Sequence, residues 1–326
     1  MKLLKKFIDT CATEKIFDGV QKVLIAVSGG ADSLALAELL INSRRRFNLE
    51  LAIAHFEHGL RGQESLDDAA FVKNFAKARG IKFIGGSGDV KKFAAEKKIS
   101  VETAARILRY EFLSKLNFDA IALAHHADDQ AETILMRLLR GATSAGLSGM
   151  KFRTFSKDYG LLIRPLLRFR KAELENFCRQ RNLSPHVDST NFETLATRNK
   201  IRLELIPTLE RFNPALLETL CRFGEISAEE SDFIDAQAEK IFPAVVKENS
   251  IIRAEFLKIP TALQRVVIKK FIEQVTGSVK DFGFVHFEGV RKVLINNLSG
   301  VELPRNFRAD LKRGRLYITK NFYGKD

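Results

Sequence analysis

The sequence predicts an α/β fold, a mostly parallel doubly wound sheet followed by a smaller helical and α+β region, on three observations. Apolar, largely β-branched runs recur at 23–27, 51–55, 81–84 and 119–124. Helically spaced apolar residues separate them at about 32–43, 64–79 and 100–117. The first run, Val23-Leu24-Ile25-Ala26-Val27, ends abruptly in Ser28-Gly29-Gly30-Ala31-Asp32-Ser33. Alternating strands and helices of this kind form right-handed crossovers, with helices on both faces of the sheet.

The first strand-to-helix turn has the chemistry of an anion site. Two adjacent glycines let backbone N–H groups approach a phosphate, and the following helix adds unpaired amides and the positive end of its dipole. Ser28 and Ser33 add hydroxyls. A carboxylate repels phosphate unless a cation lies between them, so Asp32 points to a magnesium-bound pyrophosphate. No Gly-Lys-Ser/Thr follows, so the loop is not a Walker A sequence, nor is it the Gly-x-Gly-x-x-Gly fingerprint.

Later elements add polar residues at strand ends. The second strand runs into His55-Phe56-Glu57-His58-Gly59-Leu60-Arg61. On the helix beginning near residue 100, Arg106 and Arg109 lie three apart on one side. The fourth strand empties into His125-His126-Ala127-Asp128-Asp129-Gln130-Ala131-Glu132, where Asp129 and Glu132 project from the first helical turn. Ligands of open α/β sheets bind beyond the carboxyl ends of strands, where both this segment and the Ser28 loop fall. A metal cluster is a rival reading of these histidines and carboxylates, but no third histidine or cysteine stands at suitable spacing.

Helices near 170–182 and 194–205 complete a first domain, 1–215, with Asn213-Pro214 as its exit. Beyond it, a helix from Ala215 to Phe242 ends at Pro243, and helices at 263–275 and 286–296 precede strand-like pieces at 301–303 and 316–318. We therefore expect 216–326 to form a helical connector and a small α+β domain.

Charge is uneven along the 326 residues, whose net excess is +13. Residues 1–150 hold 22 basic and 18 acidic side chains, whereas 151–326 hold 31 and 22. A polyanion such as RNA accounts for a basic surplus away from the phosphate loop. Arg305, Arg308, Lys312, Arg313, Arg315 and Lys320 surround a single Asp310 near the end of the chain. Three isolated cysteines, no signal-peptide core and no membrane-length apolar run predict a reduced, soluble, cytoplasmic protein that engages no membrane.

Ser-Gly-Gly-x-Asp-Ser resembles the pyrophosphate loop of the N-type ATP pyrophosphatases (PP-loop superfamily), which split ATP between its α and β phosphates. Segment 55–61 resembles the His-x-Asp-His-Gly-Leu-Arg signature of the tRNA(Ile)-lysidine synthetases, with Glu57 in place of the usual Asp or Asn. Glu102 to Tyr110 matches their Glu-x-Ala-Arg-x-x-Arg-Tyr pattern. Arg140 to Met150 is similar to their glycine-rich loop, with Thr143 replacing a glycine. Arg164-Pro165-Leu166-Leu167, Asp188-Ser189-Thr190-Asn191 and Arg198-Asn199-Lys200-Ile201-Arg202 follow in family order, with Ala196 where tyrosine is usual.

The resemblance implies ATP-driven ligation of free lysine to the wobble cytidine (position 34) of a tRNA(Ile) bearing a CAU anticodon. Ser28, Gly29, Gly30, Ala31, Asp32, Ser33 and His55 would bind ATP, with Asp32 on Mg²⁺. Asp32, Arg106, Arg109, Asp129 and Glu132 form the catalytic set, the last two holding or deprotonating lysine. Arg140, Arg198, Arg202, Arg313 and Arg315 are the tRNA contacts. A homodimer is compatible with this reading. Its rivals are another PP-loop tRNA-modifying enzyme such as a tRNA thiolase, and a basic RNA-binding protein with a vestigial nucleotide site.

Overall fold

A computed structural model describes residues 2–59, 63–186 and 196–320. The chain divides into two compact units, Met1–Ile226 and Ser227–Asp326. In the first, β1 (Lys22–Ala26), β2 (Glu50–Glu57), β3 (Lys82–Ser87), β4 (Ala120–Ala122), β5 (Arg153–Ser156) and β6 (Gly160–Ile163) form one sheet in the order β3-β2-β1-β4-β6-β5. All neighbours are parallel except β5 and β6.

Strand periodicity explains why β1 reads as an unbroken apolar run. Val23 and Ile25 pack on one face against α1 (Lys2–Thr13), α2 (Ala31–Ser43) and α8 (Lys171–Gln180). Leu24 faces the opposite layer, where it joins Ala52, Ala54, Tyr110 and Leu113, the last two on α5 (Val101–Ser114). Both faces are covered, so Val23 to Ile25 are all apolar, and only Lys22, at the exposed start of the strand, is polar.

Topology then locates the site. The chain winds outward from β1 to β2 and β3 through α3 (Gln63–Ala78), passes through α4 (Val90–Lys97) and α5, and returns to place β4 on the other side of β1. Val23 pairs with Leu51 of β2 and with Ala120 of β4. The ends of β1 and β4 therefore open side by side at the reversal of strand order.

The expected strands and helices of this region are present. The structure adds α1, α4 and the β5–β6 hairpin, which periodicity did not mark. The β5–β6 strands are only four residues each, below the length at which alternation is readable. The helix expected at 194–205 is described from Ala196 as α9 (Ala196–Lys200), a π-helical turn (Ile201–Leu205) and α10 (Ile206–Glu210). Ile206 N–H donates to Ile201 C=O, and Pro207, which has no N–H to give, sits just inside α10.

α6 (Ala127–Leu139) carries the polar residues after β4 and is fastened to the loop that follows it. Gln130 Nε2 donates to Met150 C=O at 2.9 Å, and Met150 N–H donates to Gln130 Oε1 at 2.7 Å. Arg137 donates to the carbonyls of Gly146 and Gly149, both at 2.8 Å. The short helix α7 (Ser144–Leu147) lies within this stapled loop.

α11 (Leu216–Val245) spans the division between the units. Pro243 lies inside it, so the expected stop at Pro243 is corrected to Val245. Proline removes only the bond its own N–H would make, and near a helix end the residues beyond it keep theirs. The second unit carries β7 (Val246–Lys247), β8 (Ser250–Ile252), α12 (Arg253–Phe256), α13 (Thr261–Thr276), α14 (Phe284–Asn296), β9 (Gly300–Leu303), β10 (Phe307–Lys312) and β11 (Arg315–Lys320). Its sheet is antiparallel in the order β7-β8-β11-β10-β9 and packs on a core including Phe256, Ile268, Phe271, Val290 and Leu316. Among the described residues, no helix is long and apolar enough to cross a membrane.

Gln130→Ala leaves the Met150 N–H and C=O without their partner, and is expected to lower unfolding free energy by about 2 kcal/mol in urea titration.

Candidate active site

β1 delivers the chain to the loop with Val27 N–H donating to Ala54 C=O. Gly29 then takes a φ of +100°, a conformation that a Cβ would strain. The two hydroxyls fold inward: Ser33 Oγ donates to Gly30 C=O at 2.9 Å and accepts from Ser28 N–H at 3.2 Å. Ser28 Oγ and Ser33 Oγ lie 3.3 Å apart. No side chain caps the amides that begin α2 at Ala31, which leaves them to an anion. His55 is buried at the end of β2, where its Nδ1 donates to Val27 C=O at 2.8 Å, leaving Nε2 as the free ring nitrogen. A cavity of about 340 Å³ adjoins the loop, lined in part by Gly30, Ala31, Asp32, Lys171 and Arg179.

Asp32 has one oxygen engaged and one unengaged. Oδ2 lies 3.5 Å from His126 Nε2, whereas Oδ1 is buried without a hydrogen-bond partner. An unsatisfied carboxylate oxygen beside an anion-binding turn fits Mg²⁺, which takes one or two protein carboxylates and completes its shell with phosphate oxygens and water.

His126 faces three carboxylates at once: Asp32 and Asp129 from Nε2 and Asp128 from Nδ1, each at 3.5 Å. Burial alone pushes this imidazole down, but the neighbouring Asp128, Asp32 and Asp129 outweigh it and hold it up at about 10. Burial would raise Asp128, yet His126, the Lys171 N–H at 2.8 Å and Arg170 bring it down to about 2. Asp129 is likewise held low: burial opposes, and His126, His125 and Arg198 prevail.

Glu132 is 1% exposed and fully committed to cations. Arg198 Nε donates to its Oε2 at 2.7 Å, and Arg202 Nε to its Oε1 at 2.5 Å. The same guanidiniums reach Asp129 Oδ1 at 3.1 and 3.4 Å. The two carboxylates and the two arginines, expected to serve lysine and tRNA respectively, thus form one partly buried ion cluster centred on Glu132.

A second group lies beside it. Arg106 and Arg109 flank the ring of Tyr110 at 4.8 and 5.5 Å, and Tyr110 packs at 5.1 Å against Tyr159 with the rings tilted by 32°. Arg109 Nε, Tyr110 OH, His125 Nδ1 and Arg164 Nε are buried without hydrogen-bond partners. Burial lowers the pKa of Arg109 and Arg164; Tyr110 opposes it and the neighbouring Arg106 adds to it. His125 falls to about 4, through burial first, against Asp129 and with the help of the arginines, so it is neutral at physiological pH. Cations buried without counter-charges of their own are receptive to an anion.

His125, His126, Asp128, Tyr110 and Arg164 join the site in addition to the residues expected to be catalytic or ATP-binding. The His-His-x-Asp-Asp run and the Arg-Pro-Leu-Leu segment were their signals. Arg140 is exposed at the C-terminal cap of α6, and Thr143 sits at the N-terminal cap of α7. Glu57 accepts from Gly59 N–H at 3.1 Å. In the second unit, Arg313 occupies the β10–β11 turn with φ +49°, and Arg315 pairs with Glu248 at 2.8 Å. Leu60, Arg61 and Asp188 to Asn191 lie outside the described residues, as does the side chain of Ala196.

Since the pKa of Asp128 is depressed from 3.8, the stability it contributes is present above that value and lost as pH falls through about 2. Asp128→Asn removes that acid-labile increment. Denaturation midpoints of the wild type and variant are expected to converge between pH 4 and pH 2, measured in parallel urea titrations.

Residues 2–209 match the sequence profile of the PP-loop domain. A tRNA(Ile)-lysidine synthase of Clostridium perfringens is 38% identical over 88% of this chain and 62% of its own length. One from Clostridioides difficile is 31% identical over 97% of this chain and 70% of its own length. The chain thus spans about 62% of the length of the first of these relatives. Among solved structures, the U34-tRNA thiolase NcsA from Methanococcus maripaludis superposes with a TM-score of 0.56 at 20% identity, over 69% of this chain and 80% of its own, a likeness of fold. A PP-loop profile covers most of the first unit, and these identities extend over most of the chain: the chain belongs to the PP-loop family and, within it, to the tRNA(Ile)-lysidine synthases.

Proposed function

We propose that this chain uses ATP to join lysine to the wobble cytidine of a tRNA(Ile) with a CAU anticodon, forming lysidine. One observation carries the reading: the phosphate-binding turn after β1 and the carboxylate cluster after β4 open at the same reversal of strand order, linked through Asp32 and His126. That contact supports a nucleotide-splitting centre contiguous with an amine-binding one.

The cytosine O2 attacks the α-phosphorus of ATP, and the bond to the bridging oxygen breaks with its electron pair leaving on diphosphate. The amides of the Ser28–Ser33 turn receive that diphosphate, while Arg106 and Arg109 offset charge developing on the α-phosphate. Mg²⁺, when bound at Asp32, supplies neutralisation of the leaving charge. The ε-amine of lysine then attacks C2 of the adenylated base, and the C2–O bond breaks to release AMP.

Free lysine carries its ε-ammonium near pKa 10.4, so it must lose a proton before attack. Asp129, held low by its cationic neighbours, is a weak proton acceptor and suits an ammonium anchor. His125, beside Asp129 and with Nδ1 without a hydrogen-bond partner, is the second candidate to receive that proton, although burial makes it a weak base as well. The basic second unit, with Arg313 and Arg315, is the proposed tRNA grip.

Thiolation draws no support from the cysteines. Burial pushes the thiol of Cys11 up, that of Cys178 to about 11 and that of Cys221 to about 12, so none is a thiolate at neutral pH.

Labelled lysine should enter a CAU-anticodon tRNA(Ile) with matching release of diphosphate and AMP. Diphosphate release without lysine incorporation overturns the reading. Asp32→Ala and Asp129→Asn are each expected to lower incorporation by about 100-fold with little change in melting temperature. Arg313→Glu combined with Arg315→Glu should weaken tRNA binding, lessen its salt slope by about 2 and spare ATP binding, as followed by filter binding across a salt series.

A further inference from the structure

The ring of His126 stands where the two halves of the site meet, and none of the steps above brings it into contact with a reacting atom. Its Nε2 is 3.5 Å from Asp32 Oδ2 and from Asp129 Oδ2, and its Nδ1 is 3.5 Å from Asp128 Oδ2. Asp32 belongs to α2, and the two other carboxylates belong to α6. His126 itself is 3% exposed, so water screens its ring little, while Asp32 and Asp128 are only partly buried.

Helix α6 does not need this ring to start. The backbone N–H of His126, and not its imidazole, donates to Asp129 Oδ2 at 3.1 Å. Asp128 has separate anchors in the Lys171 N–H at 2.8 Å and Arg170 Nε at 3.6 Å. Asp32 has no hydrogen bond of its own at Oδ1, so the contact of Oδ2 with His126 is what fixes the rotation of that carboxylate. Without the ring, three carboxylates would face one another across the gap and repel.

Resting on the reading of Asp32 as the cation's ligand, we propose that His126 is a positioning residue that ties the metal-side carboxylate Asp32 to the amine-side carboxylate Asp129, holding the free Asp32 oxygen toward the cation. A side chain locked by a neighbour delivers its ligand atom at lower entropic cost than one free to rotate.

Mn²⁺ titration followed by electron paramagnetic resonance tests this, in the presence of an ATP analogue carrying a methylene bridge between the α and β phosphates. His126→Ala is expected to weaken Mn²⁺ binding at least threefold. His126→Gln, which restores a donor of similar reach, is expected to recover at least half of that loss. A smaller loss in the alanine variant, or a smaller recovery in the glutamine variant, overturns the inference. If the alanine variant does not fold, His126→Asn, too short to span to Asp32, takes its place under the same criteria. Failure of the wild type itself to take up Mn²⁺ with the analogue overturns the nucleotide reading of the site, and the role of His126 with it.

Discussion

Everything in the site follows from the parallel pairing of β1 with β2 on one side and β4 on the other. Val23, Leu24 and Ile25 sit in register with both neighbours, and their side chains are fully buried between two helical layers. A one-residue slip in such a strand would exchange the contents of the two cores, so register is tightly specified. It fixes where two strands end, and thereby which two loops become neighbours.

Electrostatics takes over where packing stops. The loop after β1 provides backbone donors and an unsatisfied carboxylate oxygen, and the segment after β4 provides carboxylates already matched to cations. Burying Asp129 and Glu132 is costly in isolation, and Arg198 and Arg202 offset that cost from a helix some seventy residues downstream. The π-helical turn at Ile201–Leu205 carries Arg202 and absorbs the proline that follows, an irregularity of a kind often found at functional sites. Beside that ion cluster, the guanidiniums of Arg109 and Arg164 have no such carboxylate compensation among the described residues. One site thus contains a balanced cluster and an unbalanced one, suited to ligands of different charge.

The second unit, Ser227–Asp326, holds 17 basic and 13 acidic side chains, and several of its cations are held within the fold. Arg308 pairs with Asp310 at 2.9 Å, Arg315 with Glu248, and Arg305 donates to the carbonyls of Thr276 and Ser278. A count of basic residues along a segment therefore overstates the cations free to meet a polyanion. Arg313, at the tip of the β10–β11 turn, differs in being set on a positive-φ turn rather than along a strand face.

By itself the sequence determined the parallel α/β core and the phosphate loop, because these rest on local signals: runs of β-branched residues, a switch to helical spacing, and small residues at a turn. It also placed Asp129 and Glu132 together, since three positions along a helix is a fixed distance. Short strands such as β5 and β6 escaped it, as did the reach of α11 past Pro243. Only the tertiary structure decided that Arg198 and Arg202 close on those carboxylates, that Arg164 and Tyr110 join Arg109, and that His126 spans Asp32 and Asp129. Those contacts join residues far apart in the chain, and the free energy that selects them comes from burial and charge pairing, which no local pattern records.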